Sequence, residues 1–382
     1  MGKVRKLLLV ALVACSTACS GIANRSEREL RLKDQLTELP LSEKNVSLVA
    51  DVAPEGGGFE VASVHVTGRH VLVEDTRGRL YAFGRRSMIP AWHYYGMQRP
   101  MRYRPYEGQA HYWTISGDEI HQVDAARGVG EMSVQLPFTP SSGPAGTVGV
   151  GFAGSLAGPK TIYSVNAATG RTGWGFRTGG HVTGAPVVTP GARRFVVFPS
   201  HDGMITAVEA VSANEPEAPG AAWIFGSPTR GRMSADLVLA KVGEQDVVLA
   251  ACEDGSLYAL NAVTGARMWE YPSGHPLRSA PVATADAVYL TNEDGLTCLS
   301  LDGRKMWTNE EMVRFLCKRN GKIFGVNARD DVVVADAKNG TTQSVHRMSE
   351  DWFLPTNAHD GSFIAISRDG MLYAFTDRLR LD

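Results

Sequence analysis

Cysteine and histidine are the residue types in this chain that could bind a metal ion or act as nucleophiles. Beyond the N-terminal segment the cysteines are Cys252, Cys298 and Cys317, which are odd in number and widely spaced, with no Cys-x-x-Cys pair. The ten histidines are dispersed, and the closest two, His65 and His70, are separated by a Thr-Gly turn signal. These spacings predict neither a zinc site nor a disulfide framework. We expect the three cysteines to be buried core residues.

Sequence motifs of the common enzyme classes are also missing. The chain contains no Gly-x-Ser-x-Gly elbow, no His-Glu-x-x-His pair and no phosphate-binding P-loop. Its glycine-rich stretch "GGHVTGAPV" opens a strand-like run, so it lacks the helix N-terminus that favours phosphate. The sequence therefore predicts a protein without a catalytic site, a bound metal or a cofactor.

One stretch, Ala91 to Trp113, concentrates tyrosine, tryptophan and arginine, the residue types enriched at protein-interaction hot spots. A second stretch, Gly226 to Asp236, carries two arginines in an equivalent connection further along the chain. The candidate partner-binding residues are Tyr94, Tyr95, Arg99, Arg102, Tyr103, Arg104, Tyr106, Arg230 and Arg232. Two interpretations of the aromatic residues stay open: contacts with a partner protein, or packing inside the fold.

Composition describes a globular body without a strong electrostatic preference. The chain has 382 residues, of which 43% are hydrophobic, and this length suffices for a sizeable core. Its 39 lysine and arginine residues balance 40 aspartate and glutamate residues, which gives a formal net charge of −1. Charge therefore gives no reason to expect nucleic acid as a partner.

The N-terminus has the pattern of a secretory signal peptide. A basic segment, Met1 to Lys6, precedes the apolar run Leu7 to Ala14, which is too short to span a bilayer. The following "LVAC" resembles the lipobox of bacterial lipoproteins, so residues 1–14 are the expected signal peptide and Cys15 the lipidated residue, with Cys19 as the alternative. The serine after either cysteine implies, by the same resemblance, the outer membrane. An uncleaved signal anchor is the other interpretation of the run.

The polar segment that follows, residues 15–44, is predicted to be a flexible lipidated tether with at most one short helix. The elements that must position the candidate residues begin after it. A strand pattern of the type "DGSLYAL" occurs in eight copies. The first apolar residues of these copies are Leu80, Ile120, Ile162, Ile205, Leu257, Leu296, Val332 and Leu372. Their mean spacing of roughly 42 residues is the period of a four-stranded propeller blade.

Each unit contains the same signals in the same order. Asp-Gly pairs suit two-residue hairpins because glycine accepts a positive φ without a Cβ clash. Tryptophans recur late in five units, and five equivalent rings favour packing between blades over five ligand sites. These are Trp92, Trp174, Trp223, Trp269 and Trp307. The pattern predicts an all-β, eight-bladed β-propeller of four-stranded blades over residues 45–382.

The units "DGSLYALNAVTGARMWEY" and "GPKTIYSVNAATGRTGWGF" resemble the repeat of PQQ-like (quinoprotein-like) propellers, and a lipidated eight-unit chain is similar to the BamB family of outer-membrane lipoproteins. The resemblance implies a periplasmic, lipid-anchored scaffold whose inter-blade loops bind envelope proteins, above all the outer-membrane barrel-insertion machinery.

The last unit lacks a fourth strand, whereas "NVSLVADVA" (Asn45 to Ala53) is a strand-like segment without a unit of its own. We expect this N-terminal strand to complete the last blade and remove the exposed edges.

Two functions compete at this point. The first is a non-enzymatic protein-interaction scaffold. The second is a quinoprotein dehydrogenase, a family whose chains are longer and hold PQQ and calcium with a vicinal cysteine pair and a set of acidic, asparagine and arginine residues. This sequence contains no Cys-Cys pair and no acidic residues at calcium-loop spacing. The sequence favours the scaffold, while a propeller that binds another envelope protein or ligand remains a further alternative.

Overall fold

The computed structural model describes residues 30–31, 33–41, 47–52, 59–215, 217–226 and 231–375. Both candidate lipidation sites and the expected signal peptide lie outside these residues, as does Arg230. Residues 30–31 and 33–37 are helical, and nearly all other regular structure is β-strand. Among the described residues, no helix has the length and apolar character needed to cross a membrane.

The strands form eight antiparallel sheets of four strands each, which confirms the predicted eight-bladed propeller. The first blade contains β2 (Val61–Val66), β3 (His70–Asp75), β4 (Leu80–Gly84) and β5 (Pro90–Tyr94). The second contains β6 (Tyr106–Glu107), β7 (His111–Ser116), β8 (Glu119–Asp124) and β9 (Gly130–Gln135). The third contains β10 (Ala145–Gly146), β11 (Val150–Gly154), β12 (Ile162–Asn166) and β13 (Thr172–Phe176). The fourth contains β14 (Val187–Val188), β15 (Phe195–Pro199), β16 (Met204–Glu209) and β17 (Ala221–Gly226).

The remaining blades repeat this order. The fifth contains β18 (Val238–Val242), β19 (Gln245–Ala251), β20 (Ser256–Asn261) and β21 (Arg267–Pro272). The sixth contains β22 (Val282–Ala283), β23 (Val288–Asn292), β24 (Gly295–Leu299) and β25 (Lys305–Asn309). The seventh contains β26 (Arg314–Arg319), β27 (Lys322–Val326), β28 (Val332–Asp336) and β29 (Thr342–His346). The eighth contains β30 (Trp352–Phe353), β31 (Phe363–Ser367), β32 (Met371–Phe375) and the N-terminal β1 (Ser47–Asp51).

The ring is closed by the N-terminal strand, as predicted. Strand β1 pairs antiparallel with β32, from Ser47 opposite Ala374 to Asp51 opposite Met371, with one irregularity in between. The eighth sheet therefore has the order β1-β32-β31-β30, in which the first and the last described strands pair in one blade. This pairing satisfies backbone groups of β32 that would otherwise form an open sheet edge.

The tryptophans pack between blades, which confirms their structural interpretation. The indole ring of Trp307, in the sixth blade, packs against Gly340 in the last turn of the seventh blade. A Cβ at this glycine would lie 2.5 Å from the ring. Gly340 also has a φ of +74°, so glycine meets both a steric and a backbone requirement there. The same arrangement joins Trp92 to Gly128, Trp223 to Gly265 and Trp269 to Gly303.

The seam between the seventh and eighth blades lacks this arrangement. Strand β29 carries Ser344, opposite Val334, at the position where five other blades carry tryptophan. Instead, Leu36, Leu39 and Leu41 are buried in a cluster with apolar residues of both blades. In addition, Nε1 of Trp352 donates a hydrogen bond to Gln35 Oε1 at 3.0 Å. The described part of the predicted tether, residues 33–41, thus packs on the propeller because its leucines fill this seam.

The three cysteines beyond the N-terminal segment form no disulfide and are buried inside the blades, as expected. Cys252, Cys298 and Cys317 belong to three different hydrophobic clusters. Burial raises the pKa of the Cys298 thiol to about 11. Burial also raises the pKa of the Cys317 thiol. Both thiols are therefore protonated at neutral pH, and all three cysteines contribute packing volume.

Removing the N-terminal closure should destabilise the ring. A chain that starts at residue 60 loses β1 and the leucine cluster, and we expect its thermal midpoint to fall by about 5 °C or more, since each lost hydrogen bond contributes roughly 1 kcal/mol. A chain that starts at residue 30 keeps both features and serves as the control. Differential scanning calorimetry compares the two, and equal midpoints would contradict the closure.

The Trp307 contact can be tested with a neighbouring control. Trp307 is 5% exposed and its Nε1 donates to the Ala337 carbonyl at 3.1 Å. We expect Trp307→Ala to lower the free energy of unfolding by about 3–5 kcal/mol, the range for a buried tryptophan. Met306→Ala removes a side chain that is 53% exposed on the same strand, so it should change stability by less than about 0.5 kcal/mol. Chemical denaturation measures both.

Candidate partner-binding surface and central channel

The connection between β5 and β6 breaks the repeat and carries most of the candidate residues. Its backbone is held at two points. Met101 N donates to the buried Glu74 carboxylate at 2.6 Å, and Ser116 Oγ donates to the Arg99 carbonyl at 2.6 Å. Gly78 makes the second contact possible because a Cβ there would lie 2.5 Å from the Arg99 carbonyl oxygen. The connection is therefore a fixed platform for its exposed side chains.

Tyr95 forms an exposed aromatic surface beside this platform. Its side chain is 52% exposed and stacks on His93 with a centroid distance of 4.6 Å. The guanidinium of Arg79 lies 5.8 Å from the Tyr95 ring centroid and is held by Asp75, whose Oδ2 lies 2.6 Å from Arg79 Nε. An exposed tyrosine that is fixed on both sides can bury its ring in a partner with little loss of side-chain entropy.

Arg99 and Arg102 both project into solvent from the fixed connection. The guanidinium of Arg102 lies 5.4 Å from the Tyr103 ring, and Tyr103 Oη donates to the Pro140 carbonyl at 2.9 Å. Tyr103 therefore links this connection to the one between β9 and β10, and its ring packs against the Arg102 guanidinium. Burial raises the pKa of Tyr103, so the hydroxyl remains a donor at neutral pH.

Tyr94 is a packing residue. Its hydroxyl lies 3.1 Å from His121 Nδ1, and its ring occupies the space above Gly130, where a Cβ would lie 2.6 Å from the ring. Burial raises the pKa of Tyr94 and lowers the pKa of His121, so both groups are neutral near pH 7. The structure thus places this candidate in a packing contact with the second blade.

Arg104 and Tyr106 point away from the outer surface and into the central channel. Nη2 of Arg104 donates to the Val66 carbonyl at 3.2 Å, across the channel wall. The hydroxyl of Tyr106 accepts a hydrogen bond from Val188 N at 3.3 Å. The sequence placed both residues with the surface arginines because the direction of a side chain in an irregular segment depends on the path of the chain.

Arg232 lies on the same face of the ring as Arg99. Its carbonyl accepts from Glu253 N at 3.0 Å, in the turn between the second and third strands of blade five. Arg99 likewise lies 3.9 Å from the Cβ position of Gly117, in the corresponding turn of blade two. The Arg232 side chain is exposed. One face of the propeller therefore presents Tyr95, Arg99, Arg102 and Arg232, and we call this set the basic-aromatic face.

The inner strands surround a channel with two cavities. A cavity of 590 Å³ lies among the turns that follow the first strands, and its lining charges pair with one another, such as Arg69 with Glu107 at 3.1 Å. A second cavity of 370 Å³ is lined by His65, Arg104 and Arg314. Burial, and next the charge of Arg104, lower the pKa of His65 to about 4, so this histidine is neutral at pH 7.

One group among the described residues brings three metal-binding side chains together. The ligand atoms of His111, Asp124 and Glu131 lie within 4.8 Å of one another. A cation is already present, however, because Arg127 Nη2 donates to Asp124 at 2.9 Å and lies 3.5 Å from Glu131. The Arg127 hydrogen bond holds the pKa of Asp124 below its usual range. The group functions as an ion-pair network that fixes the turn before β9.

Comparison with known proteins supports the interpretation of the repeat. A family model described as outer membrane protein assembly factor BamB matches residues 209–342. The crystal structure of BamB from Moraxella catarrhalis is similar with a TM-score of 0.62 and 15% sequence identity, covering 85% of this chain and 100% of that chain. The chain is a BamB-like PQQ-repeat β-propeller.

Two further solved structures show how widely this architecture occurs. The computationally designed Ika8 protein matches the BamB-like propeller with a TM-score of 0.57 and 14% identity, over 84% of this chain and 98% of that chain. The C-terminal WD40 domain of Sif2 matches with a TM-score of 0.59 and 11% identity, over 88% and 99% respectively. No curated protein matches the sequence. These likenesses concern the fold, so function must be argued from the side chains.

PQQ with calcium does not fit the described residues that line the 370 Å³ cavity. Calcium takes oxygen ligands, mainly carboxylates, but the charged residues lining the 370 Å³ cavity are Arg104 and Arg314, and none of its described lining residues is acidic. The cysteines lie inside the blades and are absent from the described lining. The donor set of this cavity suits an anion and repels a divalent cation.

The sequence did not predict two features of the structure, one in the channel cavity and one in the seam between the seventh and eighth blades. Arg314 opens β26 in the stretch "VRFLCKR", which the sequence presents as an ordinary apolar strand. The position of Arg314 could have revealed it. The first strand of each blade borders the crowded propeller axis and favours small residues, so an arginine at the start of such a strand is unusual. The packed leucines of residues 36–41 carried only a weak helical spacing.

Proposed function

We propose that this propeller is a non-enzymatic protein-interaction scaffold at the periplasmic face of the outer membrane, held there by a lipid on Cys15, or alternatively on Cys19. Within the envelope it acts as a BamB-like component of outer-membrane protein assembly. The family model that matches residues 209–342 carries that description and supports this role. No cofactor and no metal takes part in it.

The basic-aromatic face carries the proposal. Arg99 and Arg102 extend from a backbone that Glu74 and Ser116 hold in place, and the ring of Tyr103 lies beneath Arg102. Arginine and tyrosine dominate binding energy when they enter pockets of a partner, and a fixed backbone lowers the entropy lost on binding. A surface of this composition suits a partner segment with acidic side chains and apolar pockets.

Removing the two arginines should weaken partner recovery. We expect Arg99→Ala with Arg102→Ala to lower the amount of crosslinked partner about tenfold, the effect of losing about 1.4 kcal/mol of binding free energy. The measurement is crosslinking in the native envelope followed by mass spectrometry. A component of the assembly machinery among the products supports the proposal.

The matched control removes two arginines from the opposite face. Arg127→Ala with Arg304→Ala makes the same change of charge in turns between third and fourth strands, where both side chains are exposed. Equal losses in the two double variants would indicate a general charge effect, and no loss in either would remove the basic-aromatic face from the proposal. Stoichiometric uptake of PQQ with calcium, followed by absorbance, would contradict the non-enzymatic assignment.

Membrane attachment is tested separately by replacing each candidate cysteine. We expect Cys15→Ala to abolish labelling of the chain by radioactive palmitate and to release it from the membrane fraction, because one thioether-linked lipid is then lost. Cys19→Ala should retain both label and attachment. The reverse pattern assigns the lipid to Cys19, and full attachment in the double variant would favour an uncleaved signal anchor.

A further inference from the structure

The 370 Å³ cavity of the central channel has an unusual charge composition. It lies between β2, the start of β26 and the segment 352–356, and Arg104 reaches into it from the connection before β6. Two guanidinium groups line this space, and none of its described lining residues carries a carboxylate. The remaining lining is neutral, with Trp352, Phe353 and Leu354 on one side. A volume of this size lies within the range of small-molecule sites, about 300–1,000 Å³.

Each of the two arginines uses little of its hydrogen-bonding capacity on the protein. Arg104 donates one hydrogen bond, to the Val66 carbonyl at 3.2 Å. Arg314 donates one, from Nη1 to the Leu354 carbonyl at 2.6 Å. Because a guanidinium has five N–H groups, most donors of both residues have no described protein acceptor. Neither residue belongs to any ion pair within 4.0 Å among the described parts of the chain.

Neighbouring arginines show what pairing looks like in the same protein. Arg69 lies 3.1 Å from Glu107, and Arg85 forms an ion pair with Asp360 and also donates to the Gly68 carbonyl at 2.9 Å. Glu107 is therefore paired with Arg69, although its charge also raises the pKa of Arg104 at longer range. Asp236, the other acidic group that acts on Arg104, accepts a hydrogen bond from Ala185 N at 2.7 Å.

The surroundings of the two arginines leave both open to a ligand. The side chains of Arg104 and Arg314 are exposed to solvent in the channel. Desolvation by the nearby protein is the largest influence on both and lowers the pKa of each guanidinium, while the charge of Asp330 raises the pKa of Arg314. A guanidinium stays protonated in proteins, so both residues remain cations that an anion can pair with. The neutral imidazole of His65, beside Arg104, can donate or accept a further hydrogen bond.

We propose that this cavity binds a small organic oxyanion, a molecule with carboxylate or phosphate groups, through Arg104 and Arg314. The guanidinium groups hold the anionic groups, because arginine matches planar carboxylate and tetrahedral phosphate with paired hydrogen bonds. The side formed by Trp352, Phe353 and Leu354 contacts the carbon part of the molecule. The site lies inside the channel and is separate from the basic-aromatic face.

Isothermal titration calorimetry of the purified full chain in detergent tests the proposal. The probes are inorganic phosphate, succinate and citrate, each added at constant ionic strength so that screening does not change. We expect saturable binding of at least one probe, and the preferred probe separates a phosphate ligand from a carboxylate ligand. Arg104→Gln and Arg314→Gln should each weaken that binding about tenfold or more, since each removes charge-assisted hydrogen bonds.

Arg171→Gln provides the control, because it removes an exposed arginine that lies outside both the cavity lining and the basic-aromatic face. It should leave the affinity unchanged. The thermal midpoint in anion-free buffer shows that each variant is folded, and neither cavity variant should lower it, because an unpaired cation is removed. The proposal is overturned if no probe binds saturably, if binding requires calcium, or if Arg171→Gln weakens binding as much as the two cavity variants.

Discussion

Pairing of β1 with β32 is the interaction on which the ring depends. Seven blades are built from strands that are consecutive in sequence, whereas the eighth borrows its fourth strand from the N-terminal end of the described chain. Without that strand the edge of β32 would expose backbone donors and acceptors, and an open edge favours aggregation. The closed ring in turn fixes the distance between blades, and this distance is what holds the connections and the channel in shape.

The fold could be predicted because its signals are local and repeated. Short apolar strands recur in every unit, Asp-Gly turns and a tryptophan recur in most of them, and a repeat needs only its neighbours to bury its apolar faces. Trp307 on Gly340 shows the principle, since both residues stand at fixed positions in consecutive units. The site was predicted less completely. Arg102 and Arg104 are two residues apart in one segment, yet Arg104 lines the channel cavity and Arg102 lies outside it.

The reason for this difference is physical. Strand residues alternate regularly between two faces, so their environment follows from their position. The connection between β5 and β6 is irregular, and its path is set by contacts distant in sequence, such as Met101 with Glu74 and Tyr103 with Pro140. Likewise, nothing in the polar segment around Leu36 and Leu39 reveals that the seventh blade lacks a tryptophan and leaves room for them.

The leucines of residues 36–41 also determine how the molecule carries mechanical load. Any pull on the chain upstream of residue 33 reaches these side chains, which lie in the seam between blades seven and eight, before it reaches β1. The buried leucines are therefore a second attachment of the leading segment to the ring, and tension on that segment loads this attachment before it loads the closing strand.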